Sequence, residues 1–259
     1  MFNNHKKIKS LNLLVLLIFI NSYLNAKCSL GGIYIWPTGD RITINQTFII
    51  EGYAKSQNII IGLNSKYEIY LKSDFNIVKL RVDTIYKGAY KLVQAILTPE
   101  AELTPNLRYK LIIDNIPNND ILQKGYKSQM PDKNLEWVTL NDLHYPSPKW
   151  KSSPQIINKS FDENLGCGTE NFIQFKCMIE SESVYYIKTT IRSQSSGSIR
   201  SFCLFLWNDI IELGHNMCSG AFEFTPGDKY EVDFTIVDLI GQQSRLEQTI
   251  VFTSPERKK

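Results

Sequence analysis

The stretch KYEVDFTIV, residues 229–237, constrains the fold of this 259-residue chain more than any other. Tyr230, Val232, Phe234 and Ile236 fall on one side, and Glu231, Asp233 and Thr235 on the other. Period-two alternation marks a β-strand with one buried face and one wet face. Segments of the same kind recur. QTFIIEGY (46–53), KYEIYLK (66–72), VKLRVDTIY (78–86), YKLVQAIL (90–97), RYKLIID (108–114) and EWVTL (136–140) occupy the first half. NFIQFKCMI (171–179), VYYIKTTIR (184–192), RSFCLFLW (200–207), GAFEF (220–224) and LEQTIVF (246–252) join 229–237 in the second. All are short, rich in β-branched and aromatic residues, and bounded by Gly, Pro, Asn or Asp. No amphipathic helix stands out after the first 26 residues. The expected class is all-β, with two consecutive β-sandwiches.

Those first 26 residues read as a secretory signal peptide. Lys6, Lys7 and Lys9 form a positive start, LNLLVLLIFI (11–20) an apolar run, and Ala26 a small-residue exit. The run is shorter than the roughly 20 apolar residues of a transmembrane helix. The signal holds three of the 29 basic residues and no acid, leaving 26 basic against 26 acidic residues. A neutral mature chain gives no electrostatic reason to bind nucleic acid or an anionic membrane. The expected location is therefore the periplasm, the outer envelope or the medium. The stretch LNDLHYPSPKWKSSPQ (140–155) carries three prolines and no apolar periodicity, and it reads as a linker. The expected organisation is a signal over 1–26, a sandwich over 27–140, a linker over 141–155, a second sandwich over 156–254 and a basic tail over 255–259.

A weak internal repeat supports two related units. LTPNLRYKLII (103–113) and FTPGDKYEVDF (224–234) each place a tyrosine four residues after a Thr-Pro turn. Tyr109 and Tyr230 would bury their rings and return their hydroxyls to nearby backbone, as tyrosine corners do. Together with WPTGDRITINQTFIIEG (36–52) and EWVTL (136–140), the first of these stretches resembles the bacterial Ig-like domains of envelope and secreted proteins. YEVDFTIVDLIGQQS (230–244) is similar to the last hairpin of extracellular Ig-like or fibronectin-III-like modules, with Gln242 where an Asn is usual. The resemblance implies spacers, adhesion units or binding platforms in an exported protein, and the fold alone names no activity.

Four of the five cysteines, Cys167, Cys177, Cys203 and Cys218, lie in the second half. Outside the cytoplasm they are expected to oxidise in pairs, giving two disulfides of open connectivity. Alternation turns Cys177 and Cys203 inward, as staples between two sheets. His215 and Cys218 in GHNMCSG (214–220) offer the alternative of a metal site. Cys28 would be the second mature residue; Lys27 before it disfavours a lipid anchor, since a small residue normally stands there. DNIPNNDI (114–121) is read as a turn rather than a calcium loop. NQT (45–47) and NKS (158–160) match the glycosylation sequon. Tyr34, Trp36 and Trp150 are the candidate platforms for a sugar ring, Trp150 foremost because it falls in the linker.

No Gly-rich phosphate loop, Gly-x-Ser-x-Gly elbow or His-Glu-x-x-His helix occurs. His144 and His215 are the only mature histidines. The sequence-based expectation is a non-catalytic protein without cofactor, with a structural, adhesive or binding role toward a cell-surface protein or a glycan.

Overall fold

The structure is a computed structural model that describes residues 31–117, 122–126, 135–141, 145–163 and 168–256. The signal segment, Cys28, Asn118, Asn119, Asp120, His144 and Cys167 lie outside them.

The first half contains β1 (Gly31–Trp36), β2 (Arg41–Thr43), β3 (Phe48–Ala54), β4 (Ile69–Lys72), β5 (Ile77–Lys87), β6 (Leu92–Pro99), β7 (Arg108–Ile113), β8 (Leu122–Lys124) and β9 (Glu136–Leu140). They run in the order β2-β9-β7-β4-β5-β6-β3-β1-β8. This one path folds over at β5. Its start pairs with β4, its end pairs with β6, and a bulge between Val82 and Thr84 bends it from one layer to the other. Phe48, Ile50, Leu71, Leu111 and the fully covered Trp137 and Tyr109 fill the space between the layers. A five-residue helix, Gln57–Ile61, buries Ile59 and Ile60 against the same core.

The second half contains β10 (Lys149–Asp162), β11 (Glu170–Glu180), β12 (Tyr185–Ser193), β13 (Ile199–Leu204), β14 (Ile210–His215), β15 (Lys229–Asp238), β16 (Gln243–Arg245) and β17 (Ile250–Thr253). One sheet is β10-β11-β14; the other is β13-β12-β15, with β16 and β17 both paired to β15. Phe175, Phe202, Phe222, Phe234 and Phe252 meet between them, several edge to face. The fold is thus all-β, as the strand patterning predicts.

Both Tyr-led strands begin with the same device. Tyr109 accepts a hydrogen bond from Thr104 N–H at 3.1 Å, and Tyr230 accepts one from Thr225 N–H at 2.9 Å. Each satisfies a turn amide that its own burial would otherwise orphan.

Several segments differ from the sequence expectation: β1, β2 and β8 are strands it does not name, and three further differences bear on the second half. Residues 149–155, read as linker, open the long edge strand β10, so Trp150 stands in a sheet. Residues 210–215 form β14, which the sequence reading omits. Residues 221–224 are not a strand; only Gly220 bridges, to Tyr90 and His215, while Phe222 and Phe224 plug the core from irregular chain.

The two halves are docked. Every residue of β3 from Phe48 to Tyr53 is buried, because Phe48 and Ile50 face the first core while Ile49 faces the second half. Trp36 and Ile49 pack with Tyr186, Cys203, Val237 and Leu239. Backbone bonds cross the same seam. Thr47 N–H donates to Leu239 O at 2.8 Å, and Tyr90 and Gly220 exchange N–H···O bonds at 3.1 and 3.0 Å.

Candidate functional site in the interdomain cleft

Beside this seam lies an open cleft of about 1100 Å³. Its first-half wall comes from β1, β3 and the chain after β8, which bring Tyr34, Trp36, Glu51 and Tyr126 to one side. Its second-half wall comes from the segment joining β13 to β14, from β14 itself and from the turn after it, with Phe205, Trp207, Glu212 and His215.

The rings make a continuous row across the seam. Tyr34 and Tyr126 have centroids 5.0 Å apart, Tyr126 meets the edge of Trp36 at 4.9 Å, and Trp36 stacks on Phe205 at 4.2 Å. Trp36 is 5% exposed, whereas Tyr126 and Trp207 keep 52% and 54% of their surface open to solvent. Trp207 is held at the base of a two-residue turn. Its N–H and C=O bond Ile210, and Asn208 and Asp209 both have positive φ, 51° and 62°. Two successive left-handed residues are what a tight hairpin turn requires, and Asn and Asp tolerate that conformation.

At the floor is Glu51, fully buried on β3. Tyr126 donates its hydroxyl to Glu51 Oε1, and Gln94 Nε2 donates to Glu51 Oε2 at 3.3 Å. Burial pushes the Glu51 carboxyl up to about 7; the two hydrogen bonds pull it back only in part. No lysine or arginine is among the described groups acting on it. Burial of its hydroxyl end, and then the Glu51 charge, raise the Tyr126 phenol well above its usual range. Gln94 reaches across the seam as well. Its Nε2 donates to Cys203 O and its Oε1 accepts from Cys203 N–H, both at 3.0 Å. One amide side chain thus satisfies backbone groups on β13, an edge strand.

Of the sequence-predicted residues, Tyr34 and Trp36 lie in the cleft wall. Trp150 does not: its indole N–H donates to Ser244 O at 3.1 Å, and its ring packs toward Phe234 on the second core. A strand position, not a linker, holds it there. His215 is 7% exposed, with Nδ1 3.1 Å from Asn216 O and its ring beside Tyr90. Asn216 Oδ1 accepts from Cys218 and Ser219 N–H, so GHNMCSG closes as a capped turn. Among the described residues no three His, Cys, Asp or Glu side chains converge as a metal site.

The cysteines depart from the expected staples. Cys177 and Cys203 are free thiols, both buried. Cys177 sits in the second core, but Cys203 points out of that sandwich toward the first half. Phe202 takes the inward position on β13, so the β13-β12-β15 sheet lies between the two sulfurs. Burial raises the Cys177 thiol to about 11 and raises Cys203 further, which removes thiolate character from both. Cys218 is disulfide-bonded, to a partner outside the described residues. Of DNIPNNDI, Asp114 accepts from the Tyr70 hydroxyl at 3.2 Å and Asn115 takes φ 61° in a turn.

The missed residues are Glu51, Gln94, Tyr126 and Trp207. Glu51 carried a signal: a lone carboxylate inside the apolar run FIIEGY.

Fold and cleft define a class, two docked all-β sandwiches. No protein-family profile matches the sequence, and no curated protein does. Solved structures similar to the chain include dimeric latent PorU from Porphyromonas gingivalis, at 10% identity and a TM-score of 0.30, over 87% of this chain and 20% of that one. A β-1,2-glucanase from Parabacteroides distasonis is similar at 10% identity and a TM-score of 0.30, over 88% of this chain and 37% of that one. The tandem Ig repeats of Dlar are similar at 7% identity and a TM-score of 0.24, over 87% and 95%. The chain thus spans well under half of the first two proteins. Likenesses this remote carry no functional information, and the class rests on the chain's own sheets.

Proposed function

We propose that this is an exported, non-catalytic binding protein that acts at or beyond the cell envelope and engages its partner through the interdomain cleft. The observation that carries the reading is the row of rings crossing the docked seam, with half-exposed Tyr126 in the row and half-exposed Trp207 lining the same cleft. A rigid, partly apolar concavity between domains is a usual form of binding site. Three ionisable groups of the cleft support a non-catalytic role because each has a structural task. Glu51 is held by Tyr126 and Gln94, His215 by its turn, and Cys218 by a disulfide. The charged start and apolar run of residues 1–26 support export. No helix among the described residues is long and apolar enough to cross a membrane.

The test is binding of the labelled mature chain to the envelope fraction of its source. Saturable binding that Trp207→Ala weakens, with the circular dichroism spectrum unchanged, supports the reading. Absence of saturable binding overturns it, as does turnover of an envelope substrate that Glu51→Gln abolishes.

A further inference from the structure

We propose that the cleft binds an uncharged glycan, a short oligosaccharide stacked on Tyr126 and Trp207. The inference rests on the cleft being the binding surface and adds the chemistry of what fills it. The first support is the pair of rings. Tyr126 and Trp207 line the cleft from opposite halves, and each leaves about half its surface to water, at 52% and 54% exposed. The Tyr126 ring and the Trp207 backbone are both held in place. Tyr126 is pinned by its hydroxyl to Glu51 and by the edge of Trp36; Trp207 is set by the Asn208–Asp209 turn. A flat ring with one polar edge matches a pyranose, which shows a C–H face and a rim of hydroxyls.

The second support is charge. Besides His215 and the termini of hydrogen-bonding side chains, the described lining holds Glu51, Glu212 and Lys124 as charged types. The Lys124 ammonium is not on offer. It is spent on Asp40 Oδ1 at 3.2 Å and Glu136 O at 2.9 Å, over the Trp137 ring, with 3% of its side chain exposed. Glu212, on the open rim, accepts from Gln174 Nε2 at 2.8 Å and keeps lone pairs to spare. Glu212 thus offers a carboxylate acceptor to hydroxyl donors, and no cation is free beside it in the described lining. Such walls repel phosphate, sulfate and uronate groups. The third support is size: about 1100 Å³ is at the upper end of small-ligand sites and exceeds the need of a single sugar ring.

The experiment is an array of neutral and anionic oligosaccharides, followed by fluorescence titration of the mature chain with the neutral hexasaccharides that bind. Trp207→Ala is expected to weaken binding by roughly tenfold or more, and Trp207→Phe, which keeps a ring, to retain most of it. Phe75→Ala, an exposed ring remote from the cleft, is expected to change nothing. No neutral oligosaccharide bound, equal binding of hexagalacturonate, or indifference to Trp207→Ala overturns the proposal. Envelope binding separates the two claims. If it needs Trp207 but survives enzymatic removal of glycans, the occupant is a protein or peptide: the glycan fails and the binding role stands. If envelope binding is absent as well, both fail.

Discussion

Replacing Glu51 by glutamine removes a carboxyl that burial holds near neutral pH while keeping an oxygen for the Tyr126 hydroxyl. The folded group titrates near 7, against an ordinary value of 4.5. Below 4.5 the proton is on in both folded and unfolded chains, and stability is full. As pH rises toward and through 7, the unfolded chain ionises freely while the folded one resists, so stability falls and then levels off. The loss amounts to about 3 kcal/mol. Urea unfolding at pH 5 and pH 8.5 should show this fall in the wild type and a flatter profile in Glu51→Gln; parallel profiles would contradict it. The corner tyrosines act at the same scale. Tyr109→Phe or Tyr230→Phe leaves one turn N–H without its acceptor and should cost roughly 1–2 kcal/mol in denaturant unfolding. An unchanged midpoint would show that water replaces the hydroxyl. The corners are legible in sequence because all their parts lie within six residues. Glu51 is harder: its partners Gln94 and Tyr126 are 43 and 75 positions away.

Strands were readable where one face is wet and the other dry, as in β15. They were hidden where that condition fails. β10 leaves most side chains exposed and carries Pro154 in a bulged stretch between Ser152 and Gln155, so it reads as linker. Proline is tolerated there because an edge strand has one row of amides without a ladder partner. β14 follows LFLW after only Asn208 and Asp209, a two-residue turn signal that could have divided the long apolar stretch. GAFEF has the opposite fault: its alternation comes from rings plugging the core, not from pairing. The thiols follow from strand phase. Phe202 faces inward on β13, so Cys203 must face the other half. Alkylation of the denatured, unreduced chain should therefore modify Cys177 and Cys203 and spare Cys218. A peptide map joining Cys177 or Cys203 to any cysteine would contradict the arrangement of the sheets.

At the scale of the molecule, the proline-rich junction reads as a linker between two sandwiches, and the structure adds a seam between them. The signal for it was local. FIIEGY is apolar on both faces, as expected only of a strand covered on both sides. What covers it lies more than a hundred residues away, beyond the reach of periodicity. The seam joins apolar packing at Ile49 and Trp36 to the Gln94 clamp and the Tyr90–Gly220 exchange. Ile49→Asp places a charge in that packing and should uncouple the halves while leaving each sandwich core intact. The row of rings that forms the cleft exists only while the halves stay docked. Scanning calorimetry of the mature chain at pH 5, where Glu51 is protonated, tests this most directly. A single transition, with calorimetric and van't Hoff enthalpies that agree, is the predicted result. Two separate transitions would mean that the sandwiches are independent and that the cleft is not a built site.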